Sequence, residues 1–164
     1  MKAWYVFYTY PRAEKKAHQW LVEKGYEVFL PLKEKVHYWK NRQKKIIYDP
    51  IFPGYIFVRI FSNRIHFVLQ NPRIVKCLTF ESTPSILSDM DILLIREMIE
   101  PGNNLLIEKD DSIGSRVMIG YGPFKGCKGT LMNHRENKRV RIQLNSIPYA
   151  IGVDVDENCV KRIE

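Results

Sequence analysis

Three things are scarce in this chain of 164 residues. Cysteine is the first: Cys77, Cys127 and Cys159 stand too far apart for a metal-binding knuckle, and an odd number does not build a secreted disulfide framework. The compartment expected from them is a reducing cytoplasm. Long apolar runs are the second. None approaches the roughly 20 residues that cross a bilayer, and the opening Met1-Lys-Ala-Trp-Tyr-Val6 enters a strand pattern with no signal-peptide design, so no membrane part is expected. Catalytic signatures are the third. His18, His37, His66 and His134 lie outside metal-ligand spacing of one another and of any cysteine, and no nucleophile elbow, zinc-protease, P-loop or dinucleotide motif is present. The acids Asp110-Asp111 and Asp154, Asp156 and Glu157 read as solvated groups of a linker and a turn. No catalytic residue, metal or cofactor is expected.

What the chain has is positive charge. Lys and Arg number 26 against 18 Asp and Glu, a formal +8 with pI near 9.4, which favours a polyanionic partner. Residues 1–50 hold 11 basic and 5 acidic groups, residues 51–100 hold 5 and 5, and residues 101–164 hold 10 and 8. The polyanion-facing part is therefore expected in the first third. The length suits one ordinary domain or two small ones and excludes a large multidomain enzyme.

The order of elements reads as α+β. Trp4 to Tyr10 is a β-branched and aromatic run closed by Pro11, a first strand. Ala13, Ala17, Trp20 and Leu21 then recur at helical spacing until Gly25 supplies a left-handed stop. Tyr26 to Leu32 reads as a second strand, and Ile46 to Ile60 holds a third, interrupted at Pro53-Gly54. Asn63 to Leu69 is a short helix, Ile74 to Phe80 a strand, and Ser88 with Asp91 caps a helix whose apolar stripe is Ile92, Ile95, Met98 and Ile99. A polar stretch at 101–112 is expected as a linker between a first domain, 1–100, and a second, 113–164. In the latter, Arg116–Ile119, Thr130–Asn133, Arg139–Leu144, Tyr149–Val155 and Val160–Ile163 are short strands with turns between them, the pattern of a small barrel built for docking.

Two segments carry candidate binding chemistry. Between strands two and three, Lys33, Lys35, Lys40, Arg42, Lys44 and Lys45 surround Tyr38 and Trp39 in a hairpin. Cations neutralise phosphates and flat rings stack on unpaired bases; the alternative is a solvated hairpin whose two aromatics pack back on the sheet. In Phe52-Pro53-Gly54-Tyr55-Ile56-Phe57-Val58, alternation puts Phe52, Ile56 and Val58 on one face and Tyr55 and Phe57 on the other, so both faces are apolar. One face meets the helices. The other is either covered by a further element or left as an aromatic patch for a partner.

W-Y-V followed by a helix, V-F-L-P, a basic hairpin and F-P-G-Y-I-F-V together closely resemble the N-terminal (NGN) domain of NusG-like transcription elongation and antitermination factors. Gly114 to Thr130, with its G-P-F turn and closing glycine, resembles the KOW motif that begins an SH3-like barrel. The resemblance implies an NGN α/β sandwich-like sheet with helices, followed by that small barrel. It implies binding of the RNA polymerase clamp helices by Phe52, Pro53, Gly54 and Tyr55 with Tyr8 and Tyr10 beside them, contact of the hairpin with DNA of the transcription bubble, and suppression of pausing or termination without chemistry. It also implies a monomer whose KOW loop, Gly122, Pro123, Phe124, Gly126 and Gly129, meets ribosomal protein S10 or a termination factor, with Phe124 as an exposed anchor or a core plug. The Tyr- and Lys-rich first strand and hairpin are similar to specialised paralogs of the UpxY type. Those paralogs often lack F-P-G-Y, which this chain keeps, so a general elongation role stays open. A KOW-bearing RNA- or ribosome-binding protein is the alternative, and the charge excess in the first third argues against it.

Overall fold

In the computed structural model of this protein, β1 (Ala3–Thr9) organises the first part of the chain. Residues 1–100, 106–109, 114–134, 137–144 and 147–163 are described. The chain falls into two compact units, Met1–Ile92 and Leu93–Glu164.

In the first unit β1 is followed by α1 (Glu14–Glu23), β2 (Glu27–Phe29), β3 (Leu32–Tyr38), β4 (Lys44–Pro50), β5 (Tyr55–Ile60), a 3-10 turn at Ser62–Arg64, α2 (Ile65–Val68), β6 (Ile74–Cys77), β7 (Thr79–Phe80), β8 (Thr83–Pro84) and β9 (Ile86–Leu87). The main sheet is antiparallel in the order β2-β5-β1-β6, with β9 also paired to β1. Both faces of β1 and β5 are buried, which is why neither strand shows polar alternation. On one face Tyr5, Phe7, Ile56, Val58 and Ile60 pack with Ala17 and Leu21 of α1 and Val68 of α2. On the other, Trp4 meets Phe29 at 6.3 Å between ring centroids, and Phe57 meets Phe29 at 6.2 Å and Phe52 at 6.3 Å. The second face is therefore an aromatic core, the covered alternative.

Helix α1 ends where expected. Gly25, at φ +83°, donates to the Val22 carbonyl and Tyr26 donates to that of Leu21, which is the Schellman pairing. The segment expected as one strand to Phe80 divides after Cys77. The chain turns out through β7 and β8 and returns at Ser85, whose amide donates to the Leu78 carbonyl, so that β9 continues along the edge of β1. That turn runs through Glu81 and Ser82 at φ 47° and 65°, a left-handed pair without the Asn or Gly that announces such turns. The capping box is present at α3 (Asp89–Ile99): Ser88 Oγ accepts from the Asp91 amide at 3.1 Å, while Asp91 Oδ2 accepts the Ser88 amide at 3.1 Å and its hydroxyl at 2.7 Å. Asp91, Ile92, Leu94, Ile95 and Met98 are its buried residues, while Ile99, expected in the apolar stripe, is exposed.

The second unit contains β10 (Leu106–Lys109), β11 (Ser115–Ile119), β12 (Lys128–His134), β13 (Asn137–Gln143), β14 (Tyr149–Val155), a 3-10 turn at Glu157–Cys159 and β15 (Val160–Arg162). They form one antiparallel sheet in the order β10-β14-β13-β12-β11-β15. The expected α+β class holds, and the five expected strands are all there. Within the stretch expected as a linker, Leu106–Lys109 forms β10 and pairs with Tyr149–Gly152. The rest of the expected linker lies outside the described residues, as do Asp110 and Asp111. Gly129 is required by packing, since a Cβ there would overlap the Arg141 carbonyl oxygen and Val140 Cγ1 of β13.

Candidate functional site

The Phe52–Tyr55 turn links the sheet to a surface. Gly54 sits at φ +86°, a left-handed conformation that favours glycine, and a Cβ on it would lie 2.8 Å from Tyr8 Cε2. The Tyr8 ring therefore rests directly on the glycine. Its edge-to-face neighbour is Tyr55, 5.5 Å between centroids, placed there because the two residues face each other in the β1–β5 register. Two hydrogen bonds hold the turn: the Gly54 amide donates to Oε1 of buried Glu14 on α1 at 2.9 Å, and its carbonyl accepts from the Thr9 amide at 2.8 Å. A groove of about 520 Å3 opens beside it, lined among others by Tyr8, Pro11, Arg12, Lys15, Pro53 and Gly54.

Of the six residues expected here, Tyr8, Tyr10 and Pro53 are exposed, Tyr55 is half-buried and Gly54 is buried under Tyr8. Phe52 is different. It is 1 % exposed and packed against Phe57, so it supplies no surface for a partner and supports the turn from beneath. Alternation put Phe52 on the face of Ile56 and Val58, but Phe52 precedes the strand, where alternation does not apply, and it packs against Phe57 on the other face. Glu14 escaped the sequence reading, because an acid in the first turn of a helix ordinarily marks the helix start and nothing more.

The basic hairpin is a separate two-stranded ribbon, β3 with β4, outside the main sheet. Its register gives it two unlike faces. Glu34 opposes Tyr48, Val36 opposes Ile46 and Tyr38 opposes Lys44 on one; Lys33 opposes Asp49, Lys35 opposes Ile47 and His37 opposes Lys45 on the other. Val36, Tyr38, Ile46 and Tyr48 thus form an exposed apolar stripe, and Lys33, Lys35 and Lys45 a basic one. Lys35 reaches Asp49 only at 4.0 Å with both side chains exposed, so that pair contributes little. Trp39 is 54 % exposed and stands edge-on to His37 at 5.1 Å, and the Lys44 ammonium lies 5.6 Å above the Tyr38 ring. The aromatics meet the ribbon's own side chains rather than packing back on the sheet. Lys40 and Arg42 occupy the exposed turn, which Arg42 closes at φ 62°. Val36, Ile46 and Tyr48 were missed, although their period-2 spacing was the available signal.

In the second unit the expected KOW loop turns through Gly122 and Gly126, at φ +90° and +88°. Phe124 is 8 % exposed, which makes it the core plug. The exposed ring of the loop is its neighbour Tyr121, 77 % exposed, a residue the glycine pattern hid. Asp154, expected as a solvated acid, accepts from the buried Arg139 Nε at 2.8 Å. Burial pushes the Cys77 thiol up to about 11, so it stays protonated at neutral pH, and burial lowers the pKa of His18, which favours the neutral imidazole. Among the described residues no three His, Cys, Asp or Glu come together to hold a metal, and no helix is long and apolar enough to cross a membrane.

A helix-backed antiparallel sheet thus presents a tyrosine pair beside a groove, with a two-faced basic ribbon outside the sheet, and a second antiparallel sheet follows in the chain. The family model described as transcription termination factor nusG matches residues 2–96, and the chain belongs to the NusG family. The transcription termination/antitermination protein NusG of Borreliella burgdorferi is 25% identical, with 99% of each chain covered. That of Rickettsia felis is 24% identical over 99% of this chain and 91% of its own. The solved structure of Thermotoga maritima NusG shares the fold, with a TM-score of 0.55 at 20% identity, covering 100% of this chain and 98% of that one.

Proposed function

We propose that this protein is a transcription elongation or antitermination factor that grips the clamp helices of RNA polymerase with Tyr8, Tyr10, Pro53 and Tyr55 and touches DNA near the transcription bubble with the β3–β4 ribbon. Held at both places, it opposes the clamp movement and backtracking that accompany pausing. One observation carries the reading: the Tyr8 ring, seated on Gly54 whose amide is held by buried Glu14, lines an open groove and meets the Tyr55 ring edge to face. Preset aromatics are what an interface anchor requires, because little side-chain freedom remains to be lost on binding. Under the same proposal residues 1–100 bind polymerase, while residues 113–164 recruit a second factor, ribosomal protein S10 or a termination factor, with Tyr121 as its exposed contact. The Lys- and Tyr-rich ribbon supports a specialised, UpxY-type role within the family.

Replacing Tyr10 and Tyr55 by Ala is expected to weaken binding to purified polymerase by about 1–3 kcal/mol, roughly 5- to 150-fold. Tyr10 is 55 % exposed, so the single Tyr10→Ala variant should keep its thermal midpoint. Unchanged affinity in a folded double variant would rule out this surface.

For the ribbon, Lys40, Arg42, Lys44 and Lys45 changed together to Ser should shorten the slope of log affinity for DNA against log salt by roughly one unit per lost phosphate contact. A slope equal to that of the unaltered protein assigns the contact elsewhere.

A further inference from the structure

At the opposite end of the β1–β5 pair from Tyr8 and Tyr55 lies a second, smaller pocket of about 240 Å3. Lys2, Tyr26, Glu27, Arg59, Phe61 and Arg64 line it. Three cations thus face one carboxylate. Arg59 NH1 approaches Glu27 Oε2 at 3.6 Å, longer than a hydrogen bond, and Arg59 Nε is buried with no partner among the described residues. Lys2 and Arg64 have no carboxylate partner among the described residues. Lys2 Nζ stands 5.7 Å from the Phe61 ring centroid and the Arg64 guanidinium 5.0 Å from that of Phe67, so each is positioned by a ring rather than neutralised by an acid.

We propose that this pocket binds a phosphate group. The backbone sets the donors in place before any ligand arrives: Arg59 is fixed in β5 between Trp4 of β1 and Glu27 of β2, Lys2 immediately precedes the Ala3–Ile60 pair, and Arg64 closes the 3-10 turn that follows Phe61. The C-terminal end of α1 also reaches the pocket at Gly25, but two of its last carbonyls are already occupied by the Gly25 and Tyr26 amides, which blunts the negative end of the helix. The volume of about 240 Å3 leaves room for a phosphate group with part of its hydration. A phosphate offers more acceptor oxygens than a carboxylate does to the three cations that line the pocket.

Two sources offer this chemistry, a nucleic-acid backbone and a free phosphorylated small molecule. The pocket lies five residues along β1 from Tyr8, about 17 Å at roughly 3.4 Å per residue. A backbone phosphate held here would therefore be a contact separate from both the ribbon and the tyrosine surface.

The test is a titration of the full chain, followed by amide NMR shifts of Gly25, Tyr26 and Phe61, with inorganic phosphate, with a short single-stranded oligonucleotide and with sodium chloride at matched ionic strength. Saturable shifts with phosphate, absent with chloride, are expected. They should weaken about tenfold or more in the exposed-residue variant Lys2→Ser/Arg64→Ser, which leaves the sheet core untouched, and persist in the fourfold ribbon variant. Tighter saturation of the same amides by the oligonucleotide assigns the phosphate to a nucleic-acid strand; a response to inorganic phosphate alone assigns it to a small molecule. No saturable shift, or shifts unchanged in Lys2→Ser/Arg64→Ser, overturns the site.

Discussion

Phe52→Ala is expected to lower the unfolding free energy by about 3–5 kcal/mol, the range for deleting a buried aromatic ring. The ring is wholly enclosed and packed against Phe57, which in turn meets Phe29, so its loss leaves a void under the turn and strips one side of the second core. Chemical denaturation followed by circular dichroism measures the change. Phe52→Leu, which fills most of the space, should retain well over half of the stability lost in the alanine variant. A loss below about 1 kcal/mol in Phe52→Ala would mean the ring is not a core element. The result also separates two kinds of residue within one short motif: Phe52→Ala should impair binding only as far as it unfolds the protein, whereas the tyrosine variants should impair binding while folded.

Gly54→Ala is expected to cost about 1–2 kcal/mol for the left-handed backbone alone, and to weaken polymerase binding by more than the stability loss accounts for. The added methyl falls 2.8 Å from Tyr8 Cε2, so the ring must leave its seat and its contact with Tyr55. A double-mutant cycle isolates that step. In a Tyr8→Ala background no ring remains to be displaced, and Gly54→Ala should then cost only its backbone share, giving a coupling of about 0.5–3 kcal/mol between the two positions. Strict additivity would show that the glycine and the ring do not act together.

The parts of the fold readable in the sequence are those governed by local chemistry. Trp4–Tyr10, the Gly25 stop and the Ser88–Asp91 cap each state their structure within a few residues, and the family resemblance rested on the same segments. What was hidden depends on cover from a distance. Alternation put Phe57 and Tyr55 on one face, yet only the folded chain shows Phe29 and Phe52 closing over Phe57 while Tyr55 stays half open. Phe124 and Tyr121 differ for the same reason: two rings in a glycine-rich loop look alike in the sequence, and only the folded chain shows one buried and the other exposed. The break after Cys77 and strands β8, β9 and β10 were unreadable for another reason. The Glu81-Ser82 turn relies on backbone geometry its residues do not advertise, and Leu106–Lys109 is four residues long among polar neighbours.

The β3–β4 ribbon adds no strand to the main sheet, and its side chains from Lys33 to Ile46 are exposed. Its composition is therefore free to drift under selection for a target while the two cores stay under selection for folding. Insertions, deletions and changes of charge in this segment are expected to leave the two cores folded. Under the proposed function, such changes would retune the nucleic-acid contact through about a dozen residues without disturbing the scaffold that holds them.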